Sequence, residues 1–311
     1  MALSTKPARL VSPNLPPADG GEPASSTAWR QALKSAVREP AELCRLLDLP
    51  ASLVPAAERA AAAFGLFAPR GYIARMRKGD VSDPLLRQVL PLNEEVTEVP
   101  GFTADPVDDD AAKLVPGLLQ KYQSRVLLIT TGACAIHCRY CFRRHYPYSE
   151  APRSLVDWMP AIEAIAADPT IDEVILSGGD PLTLVDGVLE PLVRRLEEIP
   201  HLRRLRIHTR LPIVIPQRVC DSLSAWFSTT GTRLTPICVL HANHAAELDE
   251  AVAEACAVAA QRRPVTESSR TAAWRERHGG STRCALAAVG RPRRRAVLFA
   301  SARPCGRRRP L

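Results

Sequence analysis

Nowhere in the 311 residues do the roughly 18 consecutive apolar side chains of a membrane-spanning helix occur, so the sequence argues against a membrane protein. A basic start, apolar core and small-residue cleavage site are also missing near the N-terminus, which argues against a secretory leader and points to the cytoplasm. Disulfide-framework spacing is absent. The chain is too long and too poor in cysteine for a stapled miniature domain, and Cys44, Cys220, Cys238, Cys256, Cys284 and Cys305 are scattered without metal-ligand spacing. They read as ordinary thiols. Lysine vanishes after Lys121, and residues 261–311 hold 14 Arg against only two acidic residues. That stretch carries a net charge of +12 in a chain whose total is +8, leaving the first 260 residues at −4. A mildly acidic body does not read as a nucleic-acid binder. The clusters Arg293 to Arg295 and Arg307 to Arg309 lack the interleaved aromatics that would strengthen such a reading.

What is present begins with Cys134, Cys138 and Cys141 in Thr-Gly-Ala-Cys-Ala-Ile-His-Cys-Arg-Tyr-Cys-Phe-Arg-Arg-His, a C-x3-C-x2-C triplet with Tyr140 just before the last cysteine. Three soft thiolates on one short loop can each take one iron of a [4Fe-4S] cubane and leave the fourth iron open. An open iron can hold S-adenosylmethionine (SAM) by its amino and carboxylate groups, and an electron passed to the sulfonium then yields a 5′-deoxyadenosyl radical. A structural zinc site is the alternative, with His137 or His145 as the fourth ligand.

With 46% hydrophobic residues, the chain can bury the core of one large domain with an extension. Residues 1–27 are rich in Pro, Ser, Gly and Ala without periodicity and read as a disordered tail. Residues 28–121 read as a helical N-terminal region and lead-in. Trp29, Leu33 and Val37, then Leu43, Leu46 and Leu47, then an Ala-rich run to Phe67 mark short amphipathic helices, and Val-Pro-Gly-Phe (99 to 102) and Val-Pro-Gly-Leu (115 to 118) mark breaks. From 122 to 260 the pattern alternates strand and helix. Strands are expected at 126–131, 173–177, 204–209 and 236–241. The helices between and after them bury Trp158, Ile162 and Ile165, then Leu189, Leu192, Val193 and Leu196, then Val219, Leu223 and Trp226, then Leu248, Val252 and Cys256. About four strand–helix units in series predict an α/β fold, an incomplete (β/α) barrel whose site lies at the C-terminal strand ends.

Each candidate motif stands at such an end. The cysteines follow strand one; Ser177, Gly178, Gly179, Asp180 and Pro181 follow strand two; His208 to Arg210 and His241 to His244 close strands three and four. Alone, Ser-Gly-Gly-Asp-Pro is a tight turn, with Gly178 and Gly179 supplying positive φ and Asp180 capping a helix. Beside a cluster loop it becomes a backbone platform for the amino group of SAM. Arg143 and Arg144 would ordinarily be solvated; near a cluster mouth a guanidinium can hold the carboxylate of an amino acid bidentately. His241, Asn243 and His244 read equally well as core or turn residues.

Six stretches together resemble the lysine 2,3-aminomutase family of radical SAM proteins, and within it the branch that β-lysylates elongation factor P. They are Asp-Pro-Leu-Leu-Arg-Gln-Val-Leu (83 to 90), Val-Pro-Gly-Leu-Leu-Gln-Lys-Tyr (115 to 122), Cys-Arg-Tyr-Cys-Phe-Arg-Arg-His (138 to 145), Ser-Gly-Gly-Asp-Pro-Leu (177 to 182), Arg-Leu-Arg-Ile-His-Thr-Arg-Leu-Pro-Ile-Val-Ile-Pro (204 to 216) and His-Ala-Asn-His (241 to 244). The resemblance implies an isomerase that moves the amino group of L-lysine from the α to the β carbon, using a [4Fe-4S] cluster, SAM and pyridoxal 5′-phosphate (PLP). It also implies a flavodoxin- or ferredoxin-type electron donor and a product, (R)-β-lysine, destined for elongation factor P. By position it assigns Cys134, Cys138 and Cys141 to the cluster, Ser177, Gly178, Gly179 and Asp180 to SAM, His241 to cofactor binding and Arg143 to the substrate carboxylate.

The resemblance ends near residue 260. The family continues there with further strand–helix units and a lysine that holds PLP, and no lysine follows Lys121. Residues 261–311 are therefore expected to be a disordered, Arg-rich segment, such as a frameshifted reading of a GC-rich gene, leaving an incomplete PLP site, an inactive aminomutase and an unpaired strand edge. The alternative is a non-catalytic iron–sulfur or polyanion-binding protein.

Overall fold

The computed structural model describes residues 24–97, 100–101, 103–229 and 234–261, with two short strands at 265–267 and 296–298. Residues 1–23 of the expected tail at 1–27 and most of the Arg-rich segment, with Cys284, Cys305 and both Arg clusters, lie outside the described residues.

Four helices open the fold: α1 (Ala24–Lys34), α2 (Pro40–Leu46), α3 (Val54–Ala63) and α4 (Arg70–Ile73). α1 starts four residues before the expected boundary. Trp29 and Leu33, one turn apart on one face, are buried, and the fully buried guanidinium of Arg218 lies over the Trp29 ring at 4.8 Å. α2 starts at Pro40, whose fixed φ and missing N–H cost nothing in a first turn.

The lead-in holds more than breaks. β1 (Lys113–Val115) and β2 (Leu118–Tyr122) form an antiparallel hairpin, with Val115 opposite Leu118 and the turn at Pro116 and Gly117. Gly117 takes φ +80° there, so the Pro-Gly pair that reads as an interruption is a hairpin turn. β3 (Arg125–Thr131) pairs antiparallel with β2.

Then come α5 (Leu155–Ala167), β4 (Glu173–Gly178), α6 (Asp186–Glu197), β5 (Arg204–Thr209), α7 (Leu211–Val214), α8 (Asp221–Thr229), β6 (Thr235–Leu240) and α9 (Glu250–Gln261). Strands β3 to β6 are parallel and adjacent, so the six-stranded sheet runs β1 to β6 in chain order. This is the partial α/β barrel that the alternation predicts, with two antiparallel strands added in front. Among the described residues β6 ends that sheet, and β7 (Val265–Glu267) and β8 (Ala296–Leu298) form a separate parallel pair.

Alternation along the strands separates two faces. Val126, Leu128, Val174, Leu176, Leu205 and Ile207 join one buried core with Trp158, Ile162 and Ile165 of α5, Leu189, Leu192, Val193 and Leu196 of α6, and Leu223 and Trp226 of α8. Each such side chain contributes on the order of 1.5–3 kcal/mol. Val219 and Leu248, expected on the helices, fall just before α8 and α9. On the other face, at the N-terminal strand ends, buried Glu173 pairs with Arg125 at 3.0 Å, Arg204 at 3.0 Å and Arg206 at 2.8 Å. The charges at this end pair with one another, and the chemistry-bearing loops gather at the opposite end.

Candidate active site

β3 ends at Thr131 and β4 at Gly178, and the segments that follow are zipped together. The Gly179 amide donates to the Thr131 carbonyl and the Asp180 amide to the Ala133 carbonyl, each at 2.7 Å. A Cβ on Gly178 would stand 2.4 Å from the Thr131 carbonyl oxygen, and one on Gly179 would stand 2.2 Å from that of Ala133. Gly178 has φ +120°, as expected, but Gly179 does not have positive φ; close backbone approach is what requires glycine there. The cysteine loop and the Ser-Gly-Gly-Asp turn are thus one backbone assembly.

Asp180 caps the short 3-10 turn that follows, accepting from the Leu182 amide at 3.1 Å. It also accepts from Thr209 Oγ1 at 2.6 Å and from the amides of Arg210 and Leu211 at 2.7 and 3.0 Å. Burial pushes its carboxyl up against the pull of those four donors. Its carboxylate is spent on tying the ends of β4 and β5 together. Ser177 Oγ accepts from Arg143 Nη1 at 3.3 Å. Arg143 is itself buried: its guanidinium stacks on Phe142 at 4.8 Å, and Nε donates to Asp109 at 2.7 Å.

The cysteines are free thiols. Burial pushes Cys134 well above the usual thiol range, and burial together with the neighbouring Cys138 pushes Cys141 up to about 11. Each thiolate disfavours its neighbours, a conflict that a cationic metal centre relieves. Among the described residues, no three His, Cys, Asp or Glu side chains lie close enough together to hold one metal ion. A single zinc brings its sulfurs within about 4 Å of one another, whereas a cubane takes each thiolate on a different iron and spreads them. The donor set of three soft sulfurs at the head of one loop fits the cluster. The His137 ring packs against Phe64 and Phe67 with Nδ1 on the Gly65 carbonyl at 2.9 Å, and its buried Nε2 has no hydrogen-bond partner. Burial holds that ring's pKa near 4.

The N-terminal region clamps the loop. Arg139 makes a fork with Glu95 (Nε to Oε1 2.8 Å, Nη2 to Oε2 2.5 Å), Arg144 reaches the same carboxylate at 2.9 Å, and both guanidiniums lie over Phe64. At the far side, His241 follows β6, its amide donates to the Thr209 carbonyl, and its ring meets Tyr140 edge-on at 6.1 Å. Burial and Arg210 lower its pKa. His244 caps the next turn through Nδ1, and Asn243 donates to Gln88 at 3.1 Å.

Sequence reasoning placed Arg210 only in the His208 to Arg210 motif at the end of a strand, without partners, and gave no role to Gln88, Glu247, Asp109 or Glu95. Their only signal is position: Arg210 immediately follows β5, and Gln88 lies within the first of the six family-like stretches.

Residues 128–225 match the Radical SAM superfamily. The chain is 47% identical over 230 residues to the L-lysine 2,3-aminomutase of Escherichia coli K12, which covers 74% of this chain and 66% of that protein. It is 44% identical over 227 residues to the L-lysine 2,3-aminomutase of Haemophilus influenzae, covering 73% of this chain and 67% of that protein. To that of Clostridium subterminale it is 33% identical over 196 residues, 60% of this chain and 44% of the relative. The chain thus spans about two thirds of the length of the first two relatives and less than half of the third. With the cysteine loop, the glycine turn and the parallel strands that carry them already in place, these likenesses show that the chain belongs to the lysine 2,3-aminomutase family of the radical SAM superfamily.

Proposed function

We propose that this chain is built on the plan of a radical SAM isomerase that shifts the amino group of L-lysine from the α to the β carbon to give (R)-β-lysine, and that the step carried by these 311 residues is reductive SAM cleavage. The observation that carries the proposal is the meeting, at one end of β3 to β6, of the three cluster cysteines, the glycine turn fused to their loop and the buried Arg143.

Family membership implies a [4Fe-4S] cluster, SAM and PLP. Cys134, Cys138 and Cys141 would hold the cluster, which would supply the electron that opens SAM to radical chemistry. The chain's residues do the positioning. The backbone of Ser177, Gly178 and Gly179 offers SAM a surface without side-chain bulk. Asp180 keeps that surface in register with β5, and His241 flanks it beside Tyr140. Arg143, held by Asp109, presents its remaining guanidinium face to the substrate carboxylate. PLP does not fit these residues: the last lysine, Lys121, is engaged with Asp109 at 2.6 Å and with the Val107 carbonyl. The amino shift needs a PLP lysine that is not among these 311 residues, so the activity proposed for this chain alone is reductive SAM cleavage.

The product's use on elongation factor P, a flavodoxin or ferredoxin as electron donor, and a cytoplasmic site belong to the same proposal. Among the described residues no helix is long and apolar enough to cross a membrane. Anaerobic reconstitution with iron and sulfide tests the core of it. A brown protein with the iron and sulfide of one [4Fe-4S] cluster, releasing 5′-deoxyadenosine from SAM under dithionite and losing both on Cys138→Ala, supports the reading. A colourless protein that holds zinc overturns it.

A further inference from the structure

Arg210 is the most heavily connected side chain at the site. It is buried, and its guanidinium reaches three parts of the fold at once. Nη1 donates to Cys138 Sγ and to Tyr140 Oη, both at 2.7 Å. Nη2 donates to Tyr72 Oη at 3.0 Å, Gln88 Oε1 at 2.5 Å and Glu247 Oε2 at 3.0 Å. Its backbone amide is fixed by Asp180. One permanent positive charge therefore joins the cysteine loop, the N-terminal region and the loop after β6. Among the described residues its one carboxylate ion-pair partner is the fully buried Glu247, which also accepts from Gln88 Nε2 and from the amides of Asn243 and His244.

We propose that Arg210 is a positioning residue that aims the Cys138 sulfur and, by donating to it, raises the reduction potential of the cluster that Cys138 holds, with Glu247 setting how much of that charge the sulfur feels. The inference rests on the cluster reading above. Its physical basis is general. Reduction adds an electron to the cluster, a cation hydrogen-bonded to a ligating sulfur favours the more negative state, and a nearby buried anion offsets it. Low polarizability around a buried guanidinium makes both effects larger than at a surface. Tyr72 and Gln88 share the guanidinium, so the N-terminal region contributes to cluster electronics although it supplies no cysteine.

Charge makes the test two-signed. The full 311-residue chain is reconstituted anaerobically, iron and sulfide are counted, and the midpoint potential is read by EPR-monitored redox titration. Arg210→Gln is expected to move the midpoint to a more negative value at unchanged cluster content. Glu247→Gln is expected to move it positive, and Arg210→Lys to stay nearer wild type than Arg210→Gln. A merely structural role would not shift potential in opposite directions at full occupancy. If Arg210→Gln fails to hold a cluster, Glu247→Gln decides: a positive shift supports the proposal and an unchanged midpoint overturns it. If both variants hold clusters at the wild-type potential, Arg210 does not tune the cluster, while the cluster reading stands. If the wild-type chain takes no cluster at all, the cluster reading fails and the tuning role falls with it.

Discussion

Asp109 and Arg143 form a buried ion pair, Nε to Oδ2 2.7 Å, with Lys121 on the other carboxylate oxygen and Ser177 on the other side of the guanidinium. This links a lead-in residue to the turn after β4. Removing one member of such a pair leaves a buried charge unmatched, which costs about 3–5 kcal/mol. Asp109→Asn is therefore expected to lower unfolding free energy by about that amount and to weaken calorimetric binding of L-lysine, because Arg143 loses the partner that aims it. Lys121→Met, at a part-exposed ammonium, is expected to cost no more than about 1 kcal/mol. Equal effects from the two would show that Asp109 acts by charge balance alone.

Glycine has different jobs at two positions. Gly179→Ala forces a Cβ into the Ala133 carbonyl and must pull the two loops apart. A loss of about 3 kcal/mol is expected, with loss of cluster uptake. Gly187→Ala, in the first turn of α6 with no heavy atom within 4 Å of the added Cβ, is expected to stabilise by up to about 1 kcal/mol. Urea denaturation of the two variants reads both signs.

The contrast between these residues marks what one sequence can reveal. The cysteine triplet and the glycine turn are legible because their chemistry is local, and β3 to β6 are legible because apolar periodicity switches cleanly between strand and helix. Arg210 is not legible as a hub, since its partners Gln88 and Glu247 are 122 and 37 positions away and no local pattern announces them. β1 and β2 escape notice for another reason: strands of three and five residues around Pro116-Gly117 give too little alternation to outweigh the break signal. Arg143 reads from its neighbours as a solvated charge or a carboxylate holder, and only the fold brings Asp109 to it.

Glu95 should be worth more to the cysteine loop than to the protein as a whole. Burial raises its pKa, but the Arg139 hydrogen bonds and charge, the Leu92 amide and the Arg144 charge together carry it below the usual carboxylate value. That stabilisation is present above the unfolded carboxylate pKa and is lost as pH falls through the depressed folded value. Glu95→Gln keeps the shape and removes the charge. Hydrogen exchange is expected to rise at residues 134 to 146 and to stay unchanged in α5 and α6; uniform acceleration would count against a local clamp.

His208 on β5 supplies a pH dependence of its own. Burial, followed by the charges of Arg206, Arg143 and Arg125 and the ring of His241, lowers its pKa from 6.5 to about 4. Above pH 6.5 the ring is neutral in both folded and unfolded chains and costs nothing. Between 6.5 and 4 the unfolded chain takes up a proton that the folded chain refuses, so stability falls as pH falls, by at most about 3 kcal/mol. Below the folded value both states are charged and the loss stops growing. His208→Gln removes the proton-binding site, so the difference in unfolding free energy between pH 7 and pH 5 should be smaller in the variant than in the parent. Parallel urea titrations at the two pH values decide it: an identical difference in both proteins would show that His208 is protonated as easily in the fold as out of it.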